Sequence, residues 1–390
     1  MLKKEDIVSA AKEGAFQYAD EQLDILKRFA AIDCGSQDEE GNEKVVAIIN
    51  ELLEQIEGIE IEKRYYPGYG TNIIARLTPE QSEGKIILNA HMDTVFHRED
   101  AAKHPFHIDG DTAYGLGIAD CKGGILVAIY AVLIMQKNQM LPNKEIVFIF
   151  NCDEEIGSPT GHQVFDTEIE GTEMAFVFEP ARQENGILTS RKGGISFTIE
   201  VTGKKAHAGV NYLEGRSATV ELADKILKFY KNNDNERGIQ FNVGMLNGGK
   251  DGVGVVADYA SADMAVRIFS KSDENKVNEI ISKVIQDTYI DGTKTTVRIN
   301  RVYVPMERTK DNVKLYEMVR DAGRLLGYEL PEQTSGGGGD ASYFSYKGIP
   351  TVDALGPYMY TIHDTNESLR ISSIEEKTCL FCVVLAMINK

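Results

Sequence analysis

KIILNAHMDTV, residues 85–95, decides how this chain is read. The apolar run at 85–90 is too short for a helix and has the composition of a buried strand. It delivers two polar side chains, His91 and Asp93, at its C-terminal end. Period-2 geometry points both to one face, where Asp93 can accept the second ring N–H of His91 and fix its tautomer. The same construction recurs at 145–155, where EIVFIF runs into NCDEE. Two strands that release polar residues at their C-terminal ends place a site where open α/β sheets bind ligands.

Working outward, residues 17–33 and 42–56 carry apolar side chains at helical spacing. A β-like run follows at 71–77, and a further helix is expected over 124–135. From about 190 to 300 the order changes to strand, helix, strand, strand, helix, strand, at 194–201, 218–230, 239–246, 259–269, 276–288 and 295–302. That order predicts a split βαβ, ferredoxin-like α+β domain inserted into an α/β domain. The α/β pattern resumes at 312. The domains expected are thus 1–189 and 304–390 as one catalytic unit, interrupted by 190–303.

Composition narrows the function. A length of 390 residues favours two domains over one. With 42 basic and 60 acidic residues, a net charge of −18 and no cluster of Lys and Arg, nucleic acid is excluded as a partner. The opening MLKKEDIVSAAKEGAF lacks an apolar h-region, and nowhere do eighteen apolar residues run together, so a cytoplasmic chain with no membrane association is expected. Five cysteines, an odd number, form no disulfide framework, and reduced thiols fit the cytosol. Cys379 and Cys382 lie in an apolar run at i,i+3 spacing and read as core thiols on one helix face.

Five potential metal ligands sit on short motifs: His91 in HMDTV, Asp120 in GLGIADCKGG, Glu155 in NCDEEIGS, Glu179 in VFEP and His363 in TIHDTNE. Two imidazoles and three carboxylates exceed one tetrahedral zinc but suit two zinc ions if one carboxylate bridges them. The charge balances as well. Four positive charges are offset by three carboxylates and one metal-bound hydroxide. Each residue alone says less. A lone histidine is more often structural, and Asp120, which precedes a helix, could be its N-cap. Asp153, Glu154 and Glu155 are either a solvated loop or acids gathered by a cation. In the second case Glu155 is a ligand and Glu154 a general base that takes a proton from metal-bound water.

HMDTV, GLGIADCKGG, DEEIGS, a glutamate 24 residues after Glu155, HAG at 207–209 and H-x-x-x-E at 363–367 occur in that order. Together they resemble the co-catalytic dizinc metallopeptidase family of glutamate carboxypeptidases, aminoacylases, succinyl-diaminopimelate desuccinylase and peptidase T. The resemblance covers roughly residues 20–390. It implies a mixed-sheet zinc-peptidase catalytic domain with the insert as a lid and dimerisation domain. It also implies two zinc ions per chain, with cobalt or manganese as substitutes. His91, Asp120 and Glu179 would bind one, Asp120, Glu155 and His363 the other, with Asp120 bridging. Glu154 would be general base and acid, and Asp93 would orient His91. His207 would stabilise an oxyanion in a partner subunit's site. Arg267 in DMAVRIF would hold a substrate carboxylate, with Asn242 in FNVG nearby. The glycine run 336–339, ending in Gly339, would form an anion-binding nest before a helix.

Some positions depart from the family pattern. After HAG, Tyr212 and Ser217–Ala218 replace the usual proline and asparagine–alanine pair. Pro357-Tyr358-Met359-Tyr360 replaces a glycine-containing turn before His363. Glu179 follows carboxypeptidase and deacylase members, where peptidase T-like aminopeptidases tend to have Asp. The function implied is metal-assisted cleavage of an amide in a small peptide or N-acyl amino acid, releasing a C-terminal residue or an acyl group, by a homodimer. A peptidase T-like di- or tripeptidase is the alternative enzyme. An inactive relative acting as a binding protein is the alternative of another class.

Overall fold

A computed structural model of the chain describes residues 3–388 and divides into two compact units. The first runs to Thr189 and takes in Arg308–Thr334 and the chain from Gly339 onward; the second is Ser190–Glu307 with Ser335–Gly338. The return crossing falls at Glu307, past the expected 303. The reason is local: Arg191 and Met306 exchange both main-chain hydrogen bonds at 3.0 Å, so the outgoing and returning segments pair before they part.

In the first unit a six-stranded mixed sheet has the order Glu60–Tyr66, Gly70–Leu77, Glu145–Asn151, Lys85–His91, Thr172–Val177, Thr351–Val352. Lys85–His91 is central and parallel to both neighbours, with His91 opposite Asn151. Parallel neighbours need a crossover, and the helix Gly123–Lys137 supplies it. That helix is apolar on every side and buried from Gly123 to Met135, as a helix enclosed by other elements must be. The stretch Ile118–Lys137 has the length and composition to cross a membrane, yet its whole apolar window is buried inside the unit. It is a core helix. The helices Lys4–Ala30 and Ser372–Met387 pack on it. Lys4–Ala30 begins thirteen residues before the expected start, because its first turns bury Ile7, Ala11 and Ala15. Alanine makes a core stripe that hydropathy barely registers.

The second unit is a four-stranded antiparallel sheet ordered Gln240–Gly248, Tyr259–Ile268, Gly193–Thr202, Lys294–Tyr303. The first and third strands in the chain are central and the second and fourth are edges, which is the split βαβ arrangement. Its helices are Ala218–Tyr230 and Lys271–Gln286, opened by the Ser217 and Ser270 side chains accepting from Val220 N and Asp273 N. Phe229 packs on Phe197 and Phe241 in a separate core.

Candidate metal centre

His91 and Asn151 end neighbouring strands in register, so the two motif loops leave the sheet side by side. Asp93, fully buried, ties them together. Its Oδ1 accepts the Glu154 N–H at 3.0 Å; its Oδ2 accepts the Glu155 N–H at 3.1 Å and the Ser36 hydroxyl at 2.6 Å. The expected contact to His91 is shared: Nδ1 lies 3.0 Å from the Asp93 main-chain carbonyl and 3.3 Å from its Oδ1. A proton on Nδ1 leaves the Nε2 lone pair facing the carboxylates.

Asp120 is positioned from outside its own segment. The buried Glu367 carboxylate accepts the main-chain N–H groups of Gly117 at 2.8 Å, Ala119 at 2.8 Å and Asp120 at 3.0 Å. Gly117 has a left-handed φ of 71°, and a Cβ on Gly124 would stand 1.9 Å from the Phe178 carbonyl oxygen, so both positions need glycine. Asp120 does not cap the following helix, whose N-cap is Lys122 with no side-chain bond. Its carboxylate is directed at histidines: Oδ1 is 3.0 Å from His91 Nε2 and Oδ2 is 3.2 Å from His363 Nε2.

The three consecutive acids divide their roles. Asp153 turns inward and accepts from Thr160 N at 2.6 Å and Gly161 N at 3.2 Å, at the start of the helix Gly161–Glu168. Glu154 and Glu155 sit on a single 3-10 turn, Glu154–Ile156. Glu155 Oε2 is 3.3 Å from His363 Nε2, and its buried Oε1 has no hydrogen-bond partner among the described residues. Glu179, just past the strand Thr172–Val177, brings Oε1 to 3.6 Å from His91 Nε2. His363 adopts a left-handed φ of 56°, a conformation costly for a non-glycine residue and concentrated at functional sites.

Two donor groups result. One is His91, Asp120, Cys121 and Glu179; the other is Asp120, Glu155 and His363; within each group the ligand atoms lie within 4.8 Å of one another. Two donors about 2.1 Å from one zinc at a tetrahedral angle are roughly 3.4 Å apart, close to the 3.0, 3.6, 3.2 and 3.3 Å separations found here. The buried Glu155 Oε1 also suits a metal ligand. The electrostatics agree. Burial alone would lower His91, but Cys121, Asp120, Asp93 and Glu179 lift it well above the ordinary imidazole range. Hydrogen bonds to Asp120 and Glu155 raise His363 to about 10. Burial would raise Asp120, yet His363 and His91 hold it below the usual carboxylate range. Burial, then the charge of Glu179, pushes Glu154 well above an ordinary glutamate.

Of the remaining expected site residues, Gly339 belongs to the first unit and directly precedes the helix Asp340–Tyr346. In the glycine run, Gly337 N donates to Ser335 Oγ, and the carbonyls of Gly337 and Gly338 accept from Arg191. Asp340 accepts from Ser158 Oγ at 2.5 Å and Asn151 Nδ2 at 2.7 Å. His207, Asn242 and Arg267 lie in the second unit. His207 is exposed, and its Nδ1 accepts from Gly209 N at 3.1 Å and Val210 N at 3.2 Å, which puts the ring proton on Nε2. Arg267 is exposed on Tyr259–Ile268 and has no carboxylate partner among the described residues. Asn242 is exposed on the edge strand. Cys121 and Glu367 were not singled out from sequence. Both stand inside quoted motifs, but neither the spacing of a glutamate nor a cysteine beside an aspartate reveals which amides or ligands it meets.

Comparison with known proteins places these features in context. Peptidase family M20/M25/M40 matches residues 87–386. Carboxypeptidase G2 of Pseudomonas sp. (strain RS-16) is 27% identical over 374 residues, 93% of this chain and 89% of that one. Among solved structures, the aminopeptidase PepT of Bacillus cereus ATCC 10987 superposes with a TM-score of 0.78 at 22% identity, covering 95% of this chain and 99% of that one. The M20 family metallo-carboxypeptidase Sso-CP2 of Sulfolobus solfataricus gives 0.72 at 17% identity, covering 94% and 99%. At these identities the two structures speak for the fold alone.

Proposed function

The chain belongs to peptidase family M20/M25/M40 and is a metallopeptidase that hydrolyses peptide bonds, and on that premise we propose that it is a cytoplasmic dizinc exopeptidase of carboxypeptidase type. The observation that carries the reading is Asp120, whose two carboxylate oxygens face two separate donor groups. His91, Asp120 and Glu179 hold one zinc; Asp120, Glu155 and His363 hold the other. When bound, the ions supply Lewis acidity to the scissile carbonyl and acidify the attacking water.

The chain's own residues do the rest. Glu154, next to Glu155 on the turn Glu154–Ile156, takes a proton from the attacking water and delivers it to the leaving amine. Asp93 holds the Glu154 and Glu155 amides and keeps the His91 ring oriented. His207, with its proton on Nε2, donates to the developing oxyanion in the partner subunit's site. Arg267, which has no carboxylate partner among the described residues, is assigned the free carboxylate of the leaving residue, and Asn242 and Gly339 are assigned further substrate contacts.

A homodimer through the insert is supported by apolar exposure on its edge: Met245 and Leu246 on the outer strand are 59% and 62% exposed, and Leu227 on the adjacent helix 62%. Five free, buried cysteines support a reducing compartment. The test compares kcat/KM on dipeptides and N-acyl amino acids with free and amidated C-termini, for wild type and Arg267→Ala. Amidation should cost roughly 30-fold or more in wild type and little in the variant. Equal hydrolysis of both forms by wild type, with a required free N-terminus, would instead assign a peptidase T-like activity.

A further inference from the structure

Cys121 stands among the donors His91, Asp120 and Glu179, with all four ligand atoms within 4.8 Å of one another. It is fully buried, and its Sγ donates to the main-chain carbonyl of Phe178 at 3.0 Å. Phe178 immediately precedes Glu179, so the sulfur is held against the strand end that carries the third ligand. Packing alone accounts for many buried thiols. It does not account for one gathered with an imidazole and two carboxylates, which together with sulfur make a donor set suited to zinc.

We propose that Cys121 is a further protein ligand of the metal held by His91, Asp120 and Glu179, binding through its thiolate sulfur. The proposal rests on the dimetal reading and deepens it. On coordination one sulfur–metal bond forms, the thiol proton passes to solvent, and the hydrogen bond to the Phe178 carbonyl breaks. The two metal positions then differ. The first has nitrogen, oxygen and sulfur donors and favours zinc or cobalt over manganese or magnesium; the second, with Asp120, Glu155 and His363, has no sulfur and exchanges more readily.

The test uses the full chain, stripped of metal and titrated with cobalt(II) while its absorption spectrum is followed. Wild type should develop a sulfur-to-cobalt charge-transfer band in the near ultraviolet that saturates at one equivalent, while the visible d–d bands grow to two. Cys121→Ser should lose the charge-transfer band, keep the d–d bands and bind the first ion at least ~10-fold more weakly in competition with a chromophoric chelator. X-ray absorption of zinc-loaded wild type needs no variant and should show a sulfur neighbour at about 2.3 Å. Visible d–d bands without charge transfer, or a zinc shell of only nitrogen and oxygen, would overturn the thiolate and leave the dimetal reading standing. A charge-transfer band that survives in Cys121→Ser belongs to another cysteine and overturns it equally. Failure to bind any cobalt would sink both readings.

Discussion

Glu154 and Glu155 are chain neighbours on one turn, yet their environments set them to different tasks. Among the described residues, Glu155 faces His363 and leaves one oxygen buried and unpartnered, whereas Glu154 forms no ion pair and is raised by burial and by Glu179. Replacing Glu154 by Gln should therefore lower kcat by roughly 100-fold or more while both metals stay bound, since only proton transfer is lost. Replacing Glu155 by Ala should lose the metal shared with His363. Elemental analysis and turnover on the same samples check both, and near-normal turnover of a metal-replete Glu154→Gln would remove that residue from the mechanism. The pair was legible in sequence because three acids after a buried strand demand either water or a cation. What could not be read was that Asp153 leaves the set to accept the amides of Thr160 and Gly161.

At the scale of elements, ligands arrive on strand ends and are then fixed by residues remote in sequence. Strands and their polar ends were readable because a short β-branched run has few other uses. Glu367 was not, because its partners are three main-chain amides some 250 positions away, and backbone donors leave no mark on sequence. Glu367→Ala would leave those amides without an acceptor and free the Asp120 segment. Metal affinity should fall about 10–100-fold, and a metal-titrated chelator competition reads it; unchanged affinity would make Glu367 a purely structural anchor. The C-terminal helix Ser372–Met387 carries a different burden in Lys377, fully buried with Nζ on the Ala354 carbonyl and lowered by burial to about 7. Between that value and the ordinary lysine value of 10.5 the unfolded chain binds a proton that the folded chain does not, so this group makes stability rise with pH across that window. Lys377→Met removes the effect. Urea unfolding from pH 7 to 10 should show the variant's advantage over wild type shrinking by about 1 kcal/mol per pH unit, and parallel curves would refute a neutral buried lysine.

For the whole molecule, each unit has its own hydrophobic core, so chelating the metals should abolish hydrolysis and leave most of the circular dichroism and the cooperative unfolding transition intact. The proposed metal ligands and Glu154 all belong to the first unit, whereas His207 belongs to the second. If His207 serves a partner's site, a chain lacking Glu154 and a chain lacking His207 are each defective in a different half of the reaction. Glu154→Gln and His207→Ala homodimers should both be nearly inactive. Mixed and allowed to exchange, they form heterodimers in which the His207→Ala chain keeps its own base and receives the other chain's intact His207. One of the two sites is then complete, and with random exchange half of all dimers are mixed, so activity per chain should recover toward roughly a quarter of wild type. Rim charges introduced on the exposed edge, such as Leu246→Asp, should block both dimerisation and the recovery. Sedimentation alongside the assay separates the outcomes: full wild-type activity in a monomer, or mixed dimers that form without recovery, would confine His207 to its own chain or remove it from catalysis.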